Sequence, residues 1–157
     1  AQSNYGMARA ALLEPAAVPE HSVLRMRGEA EPVLAAQEYE DQLSVLAAQK
    51  GERIYRHDLV LLGLGDDGHT ASLFPGTAAL EEKSRGVVAN FVPKVDAWRL
   101  TFTMPLLAQA RRICFLVDGS KQPALIERVL QSEPPYPASL VQDAGAAVTW
   151  IIGHPAS

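Results

Sequence analysis

Cysteine, surplus positive charge and long apolar runs are scarce in this sequence, and each scarcity excludes a class of protein. Cys114 is the only cysteine, so an internal disulfide and a cysteine-rich metal site are excluded. The chain has 14 Lys+Arg against 18 Asp+Glu, which leaves no basic excess for a nucleic-acid partner. No apolar run approaches the roughly 20 residues of a membrane span. No secretory signal is visible, so we expect a cytoplasmic location.

What the sequence contains is typical of one globular domain, which we assign to residues 1–157. The chain is 48% hydrophobic and 20% charged, enough to build a core. Apolar spacing and turn residues alternate along it. They predict helices over 4–14, 33–50, 105–110 and 120–131, and strands over 23–26, 58–64, 86–91, 100–103, 112–117 and 148–152.

Alternation of strands and helices predicts an α/β class, a Rossmann-like layered α/β/α domain with a mostly parallel sheet. The runs 58–64 and 112–117 are continuously apolar, which is typical of strands covered on both faces. A glycine-rich segment, 63–76, follows the first of these runs. Ligands of open α/β sheets bind at the carboxyl ends of strands. The segment 63–76 is therefore the first place to look for chemistry.

Gly63, Gly65 and Gly68 reproduce the spacing of a dinucleotide-binding loop, but the surrounding residues oppose that interpretation. Asp66 and Asp67 would repel a pyrophosphate, and Pro75 prevents a long helix from starting there. A nicotinamide or flavin cofactor is accordingly disfavoured.

His69 is the better candidate for chemistry in this segment. A histidine titrates near neutral pH and can take a proton from water. Asp67, two residues earlier, can accept the other ring N–H, fix the tautomer and stabilise the imidazolium. The residues alone leave a second interpretation open, in which His69 is an ordinary loop histidine.

Two cations between the strands 86–91 and 100–103 form a second candidate group. Lys94 and Arg99 would lie near sheet ends, where they can hold an anionic substrate. The alternative is that both are solvated loop charges. His21, His57 and His154 show no metal-ligand spacing and are interpreted as surface or strand-end residues, so no metal site is predicted.

The run 61–75 closely resembles the signature of 6-phosphogluconolactonases. Further blocks resemble that family in the same order along nearly the whole chain. They are Ser3-Asn4-Tyr5, Gly28-Glu29, Pro93-Lys94, Arg99 to Pro105, Gly119-Ser120-Lys121, Tyr136-Pro137-Ala138 and Val148-Thr149-Trp150.

The resemblance implies a fold shared with glucosamine-6-phosphate deaminases and ribose-5-phosphate isomerases. It also implies hydrolysis of 6-phosphoglucono-δ-lactone to 6-phosphogluconate in the oxidative pentose phosphate pathway, without metal or organic cofactor. His69 would then activate water, and Asp67 would orient the His69 imidazole. Turn amides around Gly65 and Gly68 would stabilise the carbonyl oxygen, and Lys94 and Arg99 would serve the substrate's phosphate or hydroxyls.

One departure from the family pattern is that its N-terminal part has no counterpart here. That part carries a Ser-Gly-Gly turn, which is found nowhere in this sequence. We therefore expect a C-terminal portion of the domain, weakly active or inactive alone, and a monomer or weak homo-oligomer. Two other functions stay open: a glucosamine-6-phosphate deaminase or isomerase, and a non-catalytic sugar-phosphate-binding fragment.

Overall fold

Three parallel strands form the sheet of the protein, whose computed structural model describes residues 3–153. The order is β1 (Val60–Leu62), β4 (Arg112–Asp118) and β5 (Ala147–Gly153), with β4 in the middle. Val60 lies beside Ile113 in this register. Branched and aromatic residues favour such a pleated, buried arrangement. The α/β class with a parallel sheet is confirmed.

The two middle strands form a separate antiparallel hairpin. β2 (Val87–Val92) pairs with β3 (Ala97–Phe102), and the chain reverses through a short 3₁₀ turn at Pro93–Val95. Asp96 completes this turn at φ 46°, a left-handed conformation that Asp tolerates better than most residues. The predicted strands 86–91 and 100–103 are thus strands, but they do not join the parallel sheet.

Residues 3–153 contain five α-helices, and proline is the first residue of three of them. The first helical position suits proline because its missing N–H would have no partner there. The second helix also has a side-chain cap, because the Glu31 carboxylate accepts from the amides of Val33 and Leu34. The helices are α1 (Asn4–Ala8), α2 (Pro32–Gln49), α3 (Met104–Leu107), α4 (Pro123–Leu130) and α5 (Pro137–Gln142).

Two local predictions are wrong. Residues 23–26 form no strand, because they pair with no neighbouring strand in the described part of the chain. The helix predicted over 120–131 begins at Pro123, after Gln122 at its N-cap, and the Ser120 hydroxyl donates to Asp118 instead. The sequence did not predict α5, which begins at Pro137, where the missing N–H of proline costs no hydrogen bond.

The core has two parts. The larger packs one face of the parallel sheet, including Ile113 and Phe115, against α4 and α5. The smaller packs α2 against the hairpin, with Tyr39 touching Phe102 at 6.2 Å between ring centroids. Among residues 3–153, no helix combines the length and apolar character that a membrane crossing requires.

The opposite face of the parallel sheet is open to solvent within residues 3–153. Leu61, Leu116 and Ile151 point to this face and are exposed. The expectation that β1 and β4 are covered on both faces is therefore wrong for the described part of the chain. Their apolar sequence reflects one buried face and one uncovered face.

Two adjacent leucines on β1 test the difference between the buried and the exposed face of the sheet. Leu62 is 8% exposed and Leu61 is 56% exposed, so the same truncation removes very different packing. We expect Leu62→Ala to lower the free energy of unfolding by about 2–5 kcal/mol. We expect Leu61→Ala to lower it by less than about 1 kcal/mol. Urea titrations of both variants, on samples shown to be monomeric by sedimentation, measure the difference. Equal losses would contradict an uncovered face.

Candidate active site

The candidate site is a tight turn that begins directly after β1. The amide of Gly65 donates to the His69 carbonyl at 2.9 Å, and the amide of Gly68 donates to the Gly65 carbonyl at 3.1 Å. Gly68 has φ +77°, a conformation that side chains disfavour. The Thr70 hydroxyl donates to the Gly63 carbonyl at 2.8 Å and ties the end of the turn to its beginning.

Asp67 and His69 form a directly bonded pair within this turn. One carboxylate oxygen, Oδ1, lies 2.6 Å from His69 Nδ1 and accepts from the His69 amide at 3.1 Å. The two side chains are 27% and 23% exposed, so the bond is partly shielded from water. His69 Nε2 bonds to nothing in residues 3–153 and is not sealed from solvent. This arrangement assigns the proton to Nδ1 and leaves the Nε2 lone pair free.

Lys94 binds the other side of the same carboxylate. Its Nζ donates to Asp67 Oδ2 at 2.9 Å and also to Asp66 Oδ1. Burial raises the pKa of Asp67, but the hydrogen bonds from Lys94 and His69 outweigh it and lower that pKa to about 2. Hydrogen bonds to Asp66 and Asp67 raise the pKa of Lys94 in turn. Asp67 is therefore ionised at neutral pH, as an acceptor for an imidazole N–H must be.

Gly65 and Gly68 make room for neighbouring side chains. A Cβ on Gly65 would overlap the His69 imidazole, and a Cβ on Gly68 would overlap the ring of Tyr136. Their amides are already taken by the turn itself. A role of these two amides toward substrate stays a prediction, and the structure adds a steric reason for glycine at both positions.

Comparisons with known proteins place the chain in a family. The family described as glucosamine-6-phosphate isomerases/6-phosphogluconolactonase matches residues 1–150. The chain belongs to this family. It is 36% identical over 160 residues to the 6-phosphogluconolactonase of Homo sapiens and 42% identical over 158 residues to that of Synechocystis. The solved structure of the 6-phosphogluconolactonase from Trypanosoma cruzi superimposes with a TM-score of 0.80 at 31% identity.

The chain spans less than two thirds of the length of these family members. It is covered completely by the human relative but accounts for 61% of that protein, and for 65% of the Synechocystis relative. In the Trypanosoma cruzi structure, the match covers 97% of this chain and 64% of the other.

Among the predicted site residues, Arg99 is the one that lies apart from the turn and from the hydrogen-bonded Asp67, His69 and Lys94. It is exposed on β3 opposite Asn90, and it forms no ion pair within the described residues 3–153. Its strand face also carries Thr101, whose hydroxyl accepts from the Ser72 amide at 3.0 Å. Arg99 therefore lies on the hairpin face that meets the segment after His69. Its contact with substrate stays a prediction.

The sequence analysis missed two residues that hold the turn. The Ala138 amide donates to the Gly68 carbonyl at 3.0 Å, and the Tyr136 ring packs against Gly68. The only sequence signal was the family block 136–138, which did not indicate a contact with the turn. Among the other histidines, His21 is exposed, whereas His57 packs beside Tyr55 and Phe102 and burial lowers its pKa. His154 lies outside the described residues.

Asp66, Asp67 and His69 carry ligand atoms within 4.8 Å of one another, a spacing that a metal ion can use. Lys94, however, already donates to both carboxylates and neutralises part of their charge. A cation at the same oxygens would have to displace this ammonium group. The positive charge that balances Asp66 and Asp67 is therefore supplied by Lys94.

Two clefts, of about 270 and 280 Å³, lie elsewhere on the molecule. The first is lined by Arg53, Arg56 and Gln109 among others, and the second by Leu24, Val45 and Leu46. Neither includes a predicted site residue. The Asp67–His69 pair lies outside both clefts, at the carboxyl end of β1, and its assignment rests on its chemistry.

Lys94 is expected to control the titration of Asp67. Replacing it in Lys94→Met removes a hydrogen bond to the ionised carboxylate, so the Asp67 pKa should rise from about 2 toward its ordinary value. The stabilisation from ionised Asp67 is present above its ordinary pKa and is lost as pH falls through the folded value. Carboxyl ¹³C NMR titration measures the shift, with Lys83→Met as a matched exposed control. An unchanged Asp67 midpoint in Lys94→Met would contradict this assignment.

A methyl group at Gly65 is expected to expel the imidazole from its position. In Gly65→Ala the Cβ overlaps His69, whereas in Gly63→Ala the Cβ meets nothing within 4 Å. The measurement is the Nδ1–H proton signal of His69, whose hydrogen bond to Asp67 protects it from exchange. We expect it to vanish in Gly65→Ala and to persist in Gly63→Ala. Persistence in both variants would show that the imidazole does not depend on this space.

Proposed function

We propose that this chain carries the catalytic base of a 6-phosphogluconolactonase, which hydrolyses 6-phospho-D-glucono-1,5-lactone to 6-phosphogluconate in the oxidative pentose phosphate pathway. The observation that carries the proposal is the bond of 2.6 Å between Asp67 and His69 Nδ1 at the carboxyl end of β1. Family membership and the names of the relatives support the substrate class.

The reaction begins with His69 Nε2, the ring nitrogen that is not used by Asp67. Nε2 accepts a proton from a water molecule, and the oxygen of that water forms a bond to the lactone carbonyl carbon. The carbonyl electron pair moves to the carbonyl oxygen. The positive charge that develops on the imidazole is stabilised by the ionised Asp67.

The second half of the reaction opens the ring. As the carbonyl bond forms again, the bond between the carbonyl carbon and the ring oxygen breaks. The proton held on Nε2 passes to that ring oxygen, which becomes the hydroxyl of the product. One histidine therefore acts first as a base and then as an acid, and no net proton remains on the enzyme.

Charge on the carbonyl oxygen requires donors that the turn does not already use. Within residues 3–153, the amides of Asp66 and Asp67 donate to no protein acceptor, in contrast to those of Gly65 and Gly68. We propose these two amides as donors toward the carbonyl oxygen. Lys94 would keep the adjacent carboxylates from repelling the developing negative charge.

Binding of the substrate's phosphate or hydroxyls is assigned to Arg99 and Lys94. Arg99 is exposed and lies on the hairpin face that meets the site segment, and its guanidinium can bind a phosphate with paired hydrogen bonds. Lys94 is already engaged by Asp66 and Asp67, so its contribution to substrate would come from its remaining N–H.

The proposal includes a small sugar-phosphate lactone as the substrate, no nucleic-acid or membrane partner, no cofactor, a cytoplasmic location and a monomer or weak homo-oligomer. A deaminase or isomerase is not favoured, because Ser72-Leu73-Phe74-Pro75 follows the turn without an acid for sugar-ring opening. A binding fragment without catalysis is distinguished from an enzyme by the experiment below.

His69→Ala is expected to lower lactone turnover by roughly 10²–10⁴-fold, because it removes the positioned base. Lactone hydrolysis is measured in the intact gene product, with the spontaneous rate subtracted. His21→Ala is the control, since His21 is exposed and outside the turn.

Calorimetric titration with 6-phosphogluconate accompanies the kinetics. Product binding should persist in His69→Ala, which separates loss of catalysis from loss of the fold. A His69→Ala enzyme with full activity would rule out this mechanism. Binding without any turnover in the wild type would favour the non-catalytic alternative.

A further inference from the structure

We propose that Phe74 is a positioning residue that fixes the plane of the His69 imidazole. The two rings are stacked, with centroids 3.8 Å apart and planes inclined by 20°. Phe74 itself is 8% exposed, so its ring is held by the protein rather than by solvent. The inference rests on the proposed function insofar as His69 is the base.

The hydrogen bond to Asp67 alone leaves the imidazole one degree of freedom. The bond fixes the position of Nδ1, but the ring can still tilt about the direction of that bond. Contact with the face of Phe74 restricts this tilt. The direction of the Nε2 lone pair is then fixed, and proton transfer depends on that direction.

Phe74 is fixed by a network of buried hydrogen bonds. Its carbonyl accepts from the Thr77 hydroxyl at 2.8 Å and from the Thr77 amide at 3.2 Å. Asn90, on β2 and 1% exposed, donates from Nδ2 to Thr77 Oγ1 at 3.0 Å and to the Ser72 carbonyl at 2.8 Å. Buried polar groups paired in this way define a single local conformation. The backbone that carries the aromatic ring is thus tied, through Thr77 and Asn90, to the hairpin.

A purely structural role for Phe74 makes a different prediction from a positioning role. If Phe74 only filled the core, its loss would change stability and the ring-current shift but leave the orientation of the His69 ring as it is. If it positions the imidazole, its loss changes the orientation of that ring even in a folded protein. The experiment has to measure His69 directly.

The first measurement is NMR of the histidine ring protons. In the wild type we expect nuclear Overhauser contacts between the His69 and Phe74 rings and upfield ring-current shifts at His69. Phe74→Leu should weaken the nuclear Overhauser contacts between the His69 ring and the Gly65 α-protons, because the imidazole is then free to tilt, and Phe74→Tyr, which keeps the ring, should retain them. Phe115→Leu is the matched control, because Phe115 is a buried ring stacked at 4.0 Å on Trp150.

The second measurement is steady-state kinetics on the intact gene product. Phe74→Leu should lower kcat by about ten- to a hundred-fold with KM nearly unchanged, because a misdirected base affects the chemical step. Phe74→Tyr should recover most of kcat. A variant that loses only stability would show neither this separation nor this recovery.

Several outcomes would overturn the proposal. These are absence of the ring contacts in the wild type, unchanged contacts between His69 and Gly65 in folded Phe74→Leu, or an equal loss of those contacts in Phe115→Leu. Where Phe74→Leu does not fold, Phe74→Met supplies the same comparison, because it also lacks the aromatic ring. Failure of the proposed function is separate, since a wild type without lactone turnover leaves the NMR result intact.

Discussion

The carboxylate of Asp67 is the group on which the rest of the site depends. One of its oxygens binds the imidazole of His69 and the other binds the ammonium of Lys94. Lys94 lies 27 residues further along the chain, at the end of the hairpin. The carboxylate therefore connects the turn after β1 to the hairpin, and its low pKa keeps it charged for both partners.

The turn leaves no space for a side chain at two of its glycines. The imidazole occupies the space that a Cβ on Gly65 would need, and Tyr136 occupies that of Gly68. Asn90 then anchors the following segment by bonds to Ser72 and Thr77. Steric space on one side and buried polar bonds on the other hold the segment that carries the imidazole.

What the sequence could predict was limited to local relations. The pairing of Asp67 with His69 follows from their separation of two residues in a glycine turn, and the apolar runs correctly indicated β1 and β4. The contacts of Lys94 and Tyr136 with the turn could not be read from the sequence, since they join segments distant along the chain. Periodicity also does not reveal whether an apolar strand face is covered, as the exposed Leu61 shows.

The groups that orient the base and those available to substrate are built differently. Asp67, His69 and Lys94 are connected by hydrogen bonds within residues 3–153, so the orientation of the imidazole is set by the turn and the hairpin. Arg99, in contrast, is exposed on the face of the hairpin that meets the site. Water competes for the donors of an exposed guanidinium, so Arg99 alone would hold an anion only weakly. The orientation of the imidazole is therefore an intrinsic property of the turn and hairpin, whereas the phosphate-binding role proposed for Arg99 would need further donors beside it.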